Sequence, residues 1–167
     1  GCAGFIGYHL TQKLSENKSY TISGIDSINN YYATRIKKKR INLLKKKKNF
    51  KFIKVNLTQK KKIDNIFKKI NPDIVLHIAG QPGVLYSFQN PKSYRLNNID
   101  ATKIISQLSK KYNVKKFIFA SSSSVYGDQK KFPIKEEFIK RPKNFYAITK
   151  LKCEQIIKKT FSSSNTN

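Results

Sequence analysis

Short apolar segments alternate with longer amphipathic segments along this chain, and no other sequence feature restricts the fold as strongly. Four apolar segments have the length and composition of strands: Tyr20–Ile25, Phe50–Val55, Asp73–Ala79 and Val114–Ala120. Four amphipathic segments have the spacing of helices: Ala33–Lys47, Thr58–Ile70, Pro91–Tyr112 and Asn144–Phe161. Strands that alternate with helices in this way build βαβ units. The sequence therefore predicts the α/β fold class, with a doubly wound parallel sheet.

The length of 167 residues fits one domain, which we place at residues 1–161, followed by a polar tail at 162–167 that we expect to fray. No apolar run approaches the ~20 residues of a membrane-spanning helix, so we expect no membrane contact. The two cysteines, Cys2 and Cys153, are too few for a disulfide framework. We therefore expect a cytoplasmic protein with two unreactive thiols.

A formal net charge of +26, from 35 basic and 9 acidic side chains, points to a polyanionic partner as one interpretation. The densest block of positive charge, residues 35–69, contains one acid, Asp64. Its lysines alternate with apolar residues, as on the solvated face of a helix. Lys far outnumbers Arg and is accompanied by much Ile and Asn, which is typical of an A+T-rich genome. We therefore favour a solvated surface and expect no nucleic-acid partner, with a polyanion site in this block as the alternative.

Three glycines at the start of the chain, Gly1, Gly4 and Gly7, are spaced by three residues each. Apolar side chains on one predicted helical face follow them: Phe5, Ile6, Leu10 and Leu14. Such a triad belongs after a strand, where backbone amides approach a pyrophosphate at a helix N-terminus. No strand precedes it here and the chain contains no Met, so we expect a fragment whose first strand is missing.

An acid follows the triad at the distance expected of a dinucleotide site. Asp26 ends the next predicted strand, 19 residues after Gly7, close to the ~20 typical of an acid that binds the adenine ribose. A carboxylate there favours NAD over NADP, because a 2′-phosphate would meet a like charge. A turn-forming Asp is the alternative. His77, on the third predicted strand, is expected to be packed rather than to bind metal, since no partner ligand has zinc spacing.

A tyrosine and a lysine four residues apart, Tyr146 and Lys150, share one face of the last predicted helix. An ammonium beside a phenol stabilises the phenolate, which is the form that accepts a proton. The serine cluster at 121–124 follows the fourth predicted strand and supplies hydroxyl donors for a substrate oxygen. Each feature alone also fits an ordinary helix surface or a Ser-rich loop. Together, behind a glycine triad, they predict an acid–base site beside a dinucleotide.

These segments resemble the extended short-chain dehydrogenases/reductases and, within them, the UDP-glucuronate 4-epimerases. The resemblance is carried by GCAGFIGYHL, GIDSINNYY, PDIVLHIAGQPGVLYS, NPKSYRLNNIDAT, ASSSSVYG and NFYAITKLKCEQ, over nearly the whole chain. It implies a Rossmann-type, NAD-binding domain, a UDP-sugar substrate and a homodimeric complete protein. Complete members of the family also have a C-terminal lobe that binds the nucleotide sugar. We therefore expect a fragment that lacks this lobe as well as the first strand and is inactive by itself.

The resemblance also implies roles for individual residues. The pyrophosphate is held by Gly1, Gly4, Phe5, Ile6 and Gly7. The adenosine is held by Asp26, Ser27, Asn30, Asn56 and Leu57. The nicotinamide side is flanked by Ala79, Gly80 and Gln81, with Asn98 bracing that loop. The catalytic residues are Ser122, Tyr146 and Lys150, of which Tyr146 is the base and Lys150 also holds the nicotinamide ribose.

Some positions depart from the family pattern or separate its branches. Leu85 stands where glucuronate epimerases usually have Arg, which bears on the sugar specificity, and Asn56 replaces a usual Asp. Pro82 follows Gln81 in a loop that usually carries Ala. Ser123 and Ser124 argue against the dehydratases, which have an Asp-Glu pair there, and against the decarboxylases, which usually have Glu at the second position.

The resemblance therefore predicts NAD-dependent 4-epimerisation of a nucleotide sugar, UDP-glucuronate to UDP-galacturonate, through a 4-keto intermediate. A related decarboxylase or dehydratase that shares this intermediate is one alternative. A non-catalytic, basic polyanion-binding protein is the other.

Overall fold

The structure is a computed structural model that describes residues 1–162 and 166. Its strands are β1 (Ile22–Asp26), β2 (Phe50–Lys54), β3 (Ile74–His77) and β4 (Lys116–Phe119). Its α-helices are α1 (Phe5–Leu14), α2 (Thr34–Leu44), α3 (Lys60–Ile70), α4 (Leu85–Gln89), α5 (Pro91–Tyr94), α6 (Ala101–Lys111) and α7 (Phe145–Phe161). A π-helical segment, Arg95–Asp100, joins α5 to α6, and a 3₁₀ turn, Ser123–Tyr126, follows β4. The alternation of strands with helices agrees with the prediction.

The four described strands form two parallel pairs. In the first pair, β1 lies beside β2 with Ile22 opposite Phe50. In the second pair, β3 lies beside β4 with Ile74 opposite Lys116. No ladder joins the two pairs among the described residues. The parallel pairing confirms the predicted α/β class, but the sheet is divided rather than continuous.

The start of the chain lies between the two strand pairs. The backbone N–H of Cys2 donates to the Ile25 carbonyl at the end of β1, over 3.3 Å. On the other side, a Cβ added to Gly1 would lie 2.7 Å from the backbone nitrogen of Ala79, just beyond β3. The glycine segment therefore brings the carboxyl ends of β1 and β3 together.

Two apolar clusters pack the helices against the strands. The larger cluster lies around α3, α6 and the ends of β2 and β4: Val55, Ile63, Phe67, Ile105, Leu108, Val114 and Phe117. The smaller cluster lies around α2 and the start of the chain: Cys2, Ala3, Ile41, Leu44 and Phe50. Helix α1 packs on α2, while α6 packs on both α3 and α7.

The prediction that Phe5 and Ile6 lie on the buried face of α1 is wrong. Phe5 and Ile6 are 67% and 62% exposed. The helix instead buries Gly7 and Thr11, because a Cβ at Gly7 would overlap the Gly1 carbonyl oxygen. The need for this close approach turns the glycine face of the helix inward and the two apolar residues outward.

The single helix predicted over Pro91–Tyr112 is divided into α5, the π-helical segment and α6. Pro91 begins α5 as predicted, and Asn90 caps it by accepting a hydrogen bond from the Ser93 N–H at 3.2 Å. The preceding helix α4 was not predicted.

Ser162 ends α7, and the rest of the predicted frayed tail, apart from residue 166, lies outside the described residues. Within the part of the chain that the structure describes, no helix has both the length and the apolar character needed to span a membrane.

Candidate active site

The glycine turn leads directly into the N-terminus of α1. The Gly4 N–H donates to the Gly1 carbonyl at 3.1 Å, and Gly4 then serves as the N-cap of the helix without a side-chain cap. The first turn of α1 contains no acidic residue. The amides of a helix's first turn lack acceptors within the helix and carry the positive end of its dipole. This N-terminus therefore suits an anionic group such as a phosphate.

Asp26 ends β1 beside the glycine turn. Its carboxylate accepts the Ala3 N–H at 3.1 Å and the Ile28 N–H at 2.8 Å, so one oxygen is tied to the turn and the other to its own loop. The side chain is only 12% exposed. Two backbone donors fix the carboxylate in one orientation next to the start of α1, which is where an acid that binds a ribose would lie.

Lys37 holds the loop after β1. The prediction that the lysines of residues 35–69 lie on a solvated surface is wrong for this residue. Lys37 is only 5% exposed, and its ammonium donates to both the backbone and the side-chain oxygen of Asn29 and lies 4.2 Å from the centre of the Tyr32 ring. Burial lowers the pKa of Lys37, while Asp26 acts in the opposite direction. Its spacing from Ile41 and Leu44, four and seven residues on, is the sequence signal that identifies a buried helical face.

A polar cavity of ≈ 540 Å³ opens between the loop after β1, the end of β2 and the segment after β3. Of the predicted adenosine-binding residues, the cavity lining includes Ser27, Asn30 and Asn56, and it also includes Gln81. Leu57 instead packs against the larger apolar cluster. Asn56 accepts hydrogen bonds from the backbone and hydroxyl of Thr58 and so shapes the entry to α3.

The segment after β3 is braced by Asn98. Asn98 lies in the π-helical segment, and its side-chain oxygen accepts the Gln81 N–H at 2.6 Å. Its amide nitrogen donates to the Gln81 carbonyl at 3.3 Å and to the Thr149 hydroxyl at 3.0 Å. The brace therefore connects the backbone beside Ala79 and Gly80 to helix α7, one residue before Lys150.

His77 is buried at the end of β3. Its Nε2 lies 2.9 Å from the Thr102 hydroxyl, and its ring contacts Phe117 and Phe119. Burial, assisted by the N-terminal ammonium and Lys150, lowers its pKa to about 3, so the ring is neutral. Its position is that of a packed residue, as predicted. Among residues 1–162 and 166, no three His, Cys, Asp or Glu side chains form a group that could hold a metal ion.

Helix α7 places the predicted tyrosine and lysine one turn apart. Asn144 caps the helix by accepting the Ala147 N–H at 2.8 Å. The buried Lys150 ammonium donates to the carbonyl of Ala120, just after β4, at 2.9 Å and lies 6.0 Å from the centre of the Tyr146 ring. A Cβ at Gly80 would lie 3.3 Å from this ammonium. Burial lowers the pKa of Lys150.

Ser122 lies at the end of β4 as the N-cap of the 3₁₀ turn. Its hydroxyl donates to the Ser124 hydroxyl at 3.1 Å and accepts the Ser124 N–H at 3.2 Å. The neighbouring Ser121 donates to Glu154 of α7, which also pairs with Lys140. Helix α7, which carries the phenol and the ammonium, packs against the 3₁₀ turn that begins after Ser122. Side chains of these three types can exchange a proton with a bound hydroxyl group that all of them contact.

Comparison with known proteins identifies the family. A family model described as GDP-mannose 4,6 dehydratase matches residues 1–166. Protein CapI of Staphylococcus aureus is 39% identical over 163 residues, which cover 97% of this chain and 48% of that protein. A UDP-glucuronate 4-epimerase of Thermodesulfobacterium geofontis is 37% identical over 152 residues, which cover 90% of this chain and 46% of that protein.

A solved structure with a similar fold is the UDP-glucuronic acid 4-epimerase of Bacillus cereus in complex with UDP-glucuronic acid and NAD. It has a TM-score of 0.92 and 31% identity, covering 99% of this chain and 52% of that one. The chain thus spans about half the length of the relatives it matches. The match to sugar-nucleotide epimerases confirms the resemblance seen in the sequence. With nearly every residue matched by its model, the chain belongs to the GDP-mannose 4,6 dehydratase family.

Proposed function

We propose that this chain supplies the cofactor-binding part and the acid–base residues of an NAD-dependent sugar-nucleotide 4-epimerase. The observation that carries the proposal is the placement of two groups at the carboxyl ends of parallel strands. Asp26 lies beside the glycine turn, within hydrogen-bond distance of Ala3. Lys150 lies one helical turn from Tyr146 and reaches the end of β4. Ligands of doubly wound folds bind at these ends of the strands.

The residues present fit a dinucleotide. Gly1 and Gly7 leave no space for a Cβ, so the turn brings bare backbone to the N-terminus of α1, where a pyrophosphate would be held. The Asp26 carboxylate suits the two hydroxyls of the adenine ribose and would repel a 2′-phosphate. Lys150 and the segment at Gly80 suit the nicotinamide end. NAD, when bound, supplies a hydride acceptor that can later return the hydride.

The protein's own groups handle the proton. Tyr146, as the phenolate, takes the proton of the sugar C4 hydroxyl and returns it after the 4-keto sugar has turned its other face to the cofactor. The Lys150 ammonium stabilises the phenolate by its charge. Ser122 donates a hydrogen bond to the C4 oxygen while its charge changes. The Ser124 N–H holds the Ser122 oxygen in place, and the single hydroxyl proton of Ser122 turns from the Ser124 hydroxyl to the C4 oxygen when the sugar is bound.

For the substrate, we propose UDP-glucuronate, which is converted to UDP-galacturonate. The support is that relatives and solved structures with this activity recur among the matches. Leu85, which stands where the sequence resemblance leads us to expect Arg, is 80% exposed at the start of α4. Because leucine carries no charge that could pair with the carboxylate of the sugar, another residue of the protein would recognise that group.

Product analysis tests the proposed reaction. The full-length protein that contains this chain is incubated with NAD and UDP-glucuronate, and the products are identified by NMR. We expect UDP-galacturonate. Release of CO₂ with a pentose nucleotide would identify a decarboxylase, and loss of water would identify the dehydratase reaction after which the family is named. Tyr146→Phe should lower turnover by about 10²–10⁴-fold, as for loss of an acid–base group, whereas the exposed Tyr20→Phe should not.

We further infer that the complete protein is a cytoplasmic homodimer and that the 167-residue chain alone turns over no substrate. Sedimentation of the complete protein tests whether it is a dimer, and an assay of the isolated chain tests whether that chain turns over substrate. The polyanion alternative predicts retention on a nucleic-acid column that falls steeply with salt. Elution at modest salt, whatever the nucleic-acid sequence, indicates charge alone.

A further inference from the structure

A tyrosine joins the two loops that flank the proposed cofactor site. Tyr31 belongs to the loop after β1, yet its hydroxyl lies so close to the segment after β3 that a Cβ at Gly83 would be 2.5 Å from it. The same Cβ would lie 3.4 Å from the Tyr94 hydroxyl, so the Tyr31 and Tyr94 hydroxyls both lie beside Gly83. The ring of Tyr31 lies 5.3 Å from the ring of Tyr86 in α4. The loop after β1 therefore reaches across to the segment after β3 through this single side chain.

The segment after β3, which Tyr31 contacts, is held in a fixed conformation. Tyr94 has no exposed surface, and its hydroxyl donates to the carbonyls of Pro82 at 2.7 Å and Gly83 at 2.6 Å. Burial and then Tyr31 raise the pKa of Tyr94 to about 12, so the hydroxyl keeps its proton at neutral pH. Gly83 itself has φ +94°, a conformation that side chains rarely adopt. Tyr31 thus meets a fixed surface.

The loop after β1, which carries Tyr31, is held in place by the residues on both sides of Tyr31. Lys37 holds Asn29, and Arg40 donates to the Tyr32 hydroxyl at 3.1 Å and to the Ala3 carbonyl at 3.3 Å. The loop is therefore bound to α2 and to the glycine turn on either side of Tyr31. The part of the loop at Tyr31 can therefore move away from Gly83 only if the Tyr31 contact breaks, while Asn29 and Tyr32 stay in place.

Tyr31 and Tyr86 both line the ≈ 540 Å³ cavity, together with Ser27, Asn30 and Gln81. The two joined loops follow β1 and β3, the strands at whose ends Asp26 and Gly80 lie. A dinucleotide that contacts both strand ends lies where these loops meet. An epimerase must also return the hydride to the same sugar, so release of the reduced cofactor during a cycle ends that cycle without product.

We propose that Tyr31 is a clasp that retains the cofactor by closing the loop after β1 onto Gly83 and Tyr94. The inference rests on the proposed function, because it takes the cofactor to be a nicotinamide dinucleotide. The clasp does not act on the sugar. It sets how often the two loops separate and therefore how fast the dinucleotide enters and leaves.

The test uses the full-length protein loaded with NADH. Dissociation is followed by the loss of NADH fluorescence after excess NAD is added, and association is followed by stopped flow. Tyr31→Phe removes the hydroxyl that lies beside Gly83 and Tyr94, and it should raise the dissociation rate about 3- to 10-fold, the size expected of one neutral polar contact. Tyr31→Ala, which also removes the ring contact with Tyr86, should raise it further, and neither variant should slow association.

Tyr112→Phe is the matched control. It removes a hydroxyl that donates to Asp64 at 3.0 Å, between the end of α6 and α3, and it should leave both rates unchanged. A dissociation rate that is unaltered in both Tyr31 variants, or equally raised in Tyr112→Phe, overturns the clasp. A wild-type protein that binds neither NAD nor NADH overturns the proposed function and the clasp with it.

Discussion

The ammonium of Lys150 donates a hydrogen bond to the carbonyl of Ala120 at 2.9 Å, which ties helix α7 to the end of β4. The same ammonium lies 4.8 Å from the centre of the Phe119 ring and 6.0 Å from that of Tyr146. A buried charge of this kind costs stability, because burial disfavours the charged form. Its burial is therefore not explained by stability, which agrees with the role that we propose for it beside Tyr146.

The substitution Lys150→Met separates the effect of the ammonium on turnover from its effect on stability. In the full-length protein, we expect turnover to fall by about 10²-fold or more, since the proposed base Tyr146 loses the neighbouring positive charge. We expect the free energy of unfolding to stay constant or rise, because an apolar side chain of similar length replaces a buried ammonium. Activity assays and urea unfolding measure the two quantities. A large loss of stability together with normal turnover would contradict the proposed role.

Lys37→Met tests the loop after β1, with Lys39→Met as the matched control on the same helix. Lys37 is buried and holds Asn29, whereas Lys39 is exposed. Loss of the Lys37 contacts frees the loop beside Asp26, so we expect the Kd for NAD to rise about 10-fold, as for one or two hydrogen bonds to a charged group. Calorimetric titration should show no change for Lys39→Met. Equal effects in both variants would indicate that net charge alone matters.

Gly7→Ala tests the close approach within the glycine turn. The added Cβ would overlap the Gly1 carbonyl, whereas at Gly4 it would lie 3.2 Å from the same oxygen. We expect Gly7→Ala to lower the free energy of unfolding by more than about 2 kcal/mol. Gly4→Ala should change it by less than about 1 kcal/mol. Denaturant unfolding of both variants gives the comparison, and similar losses at the two positions would count against the described turn.

His77 makes stability depend on pH. Its pKa is lowered to about 3 in the folded protein, whereas an unfolded histidine titrates near 6.5. Between these values the unfolded chain binds a proton that the folded chain does not, so the free energy of unfolding falls as the pH drops below 6.5 and is unaffected by this group above it.

Between pH 7 and pH 5, the linkage predicts a loss of about 2 kcal/mol from His77. Urea unfolding at both pH values measures it. In His77→Gln, which keeps a polar group near Thr102 but does not titrate, this part of the loss should disappear. An identical pH dependence in the variant and the wild type would show that the imidazole gains a proton while folded.

The element order was predictable because apolar strands and amphipathic helices have different periods. Phe50–Lys54 and Lys60–Ile70 both fall inside predicted segments. The strand ends were less predictable, since Val114 is apolar and buried, yet it precedes β4 and belongs to the larger cluster instead. The apolar character of Val114 therefore indicates that the residue is buried, but it does not indicate that the residue belongs to a strand.

Site residues can be proposed from the sequence where a motif fixes the spacing, as with Asp26, Tyr146 and Lys150, and their roles stay predictions. The exposure of Phe5 depends on the contact between Gly7 and Gly1, which no hydropathy pattern contains. The π-helical segment was not predictable either, because its sequence has ordinary helical spacing. These features arise from tertiary contacts that override local preference.

The two separate strand pairs have a consequence for how the molecule opens and for how a ligand can hold it together. Within the described residues, no ladder hydrogen bonds pass from the pair that contains Asp26 to the pair that contains His77. Local opening can therefore affect one pair without disrupting the ladder of the other, as in proteins that unfold in cooperative units. A dinucleotide bound by Asp26 and by Lys150 would bridge that boundary. Amide hydrogen exchange should then slow in both pairs together when the cofactor binds, because the ligand adds a second connection to the one that the glycine turn makes between Ile25 and Ala79.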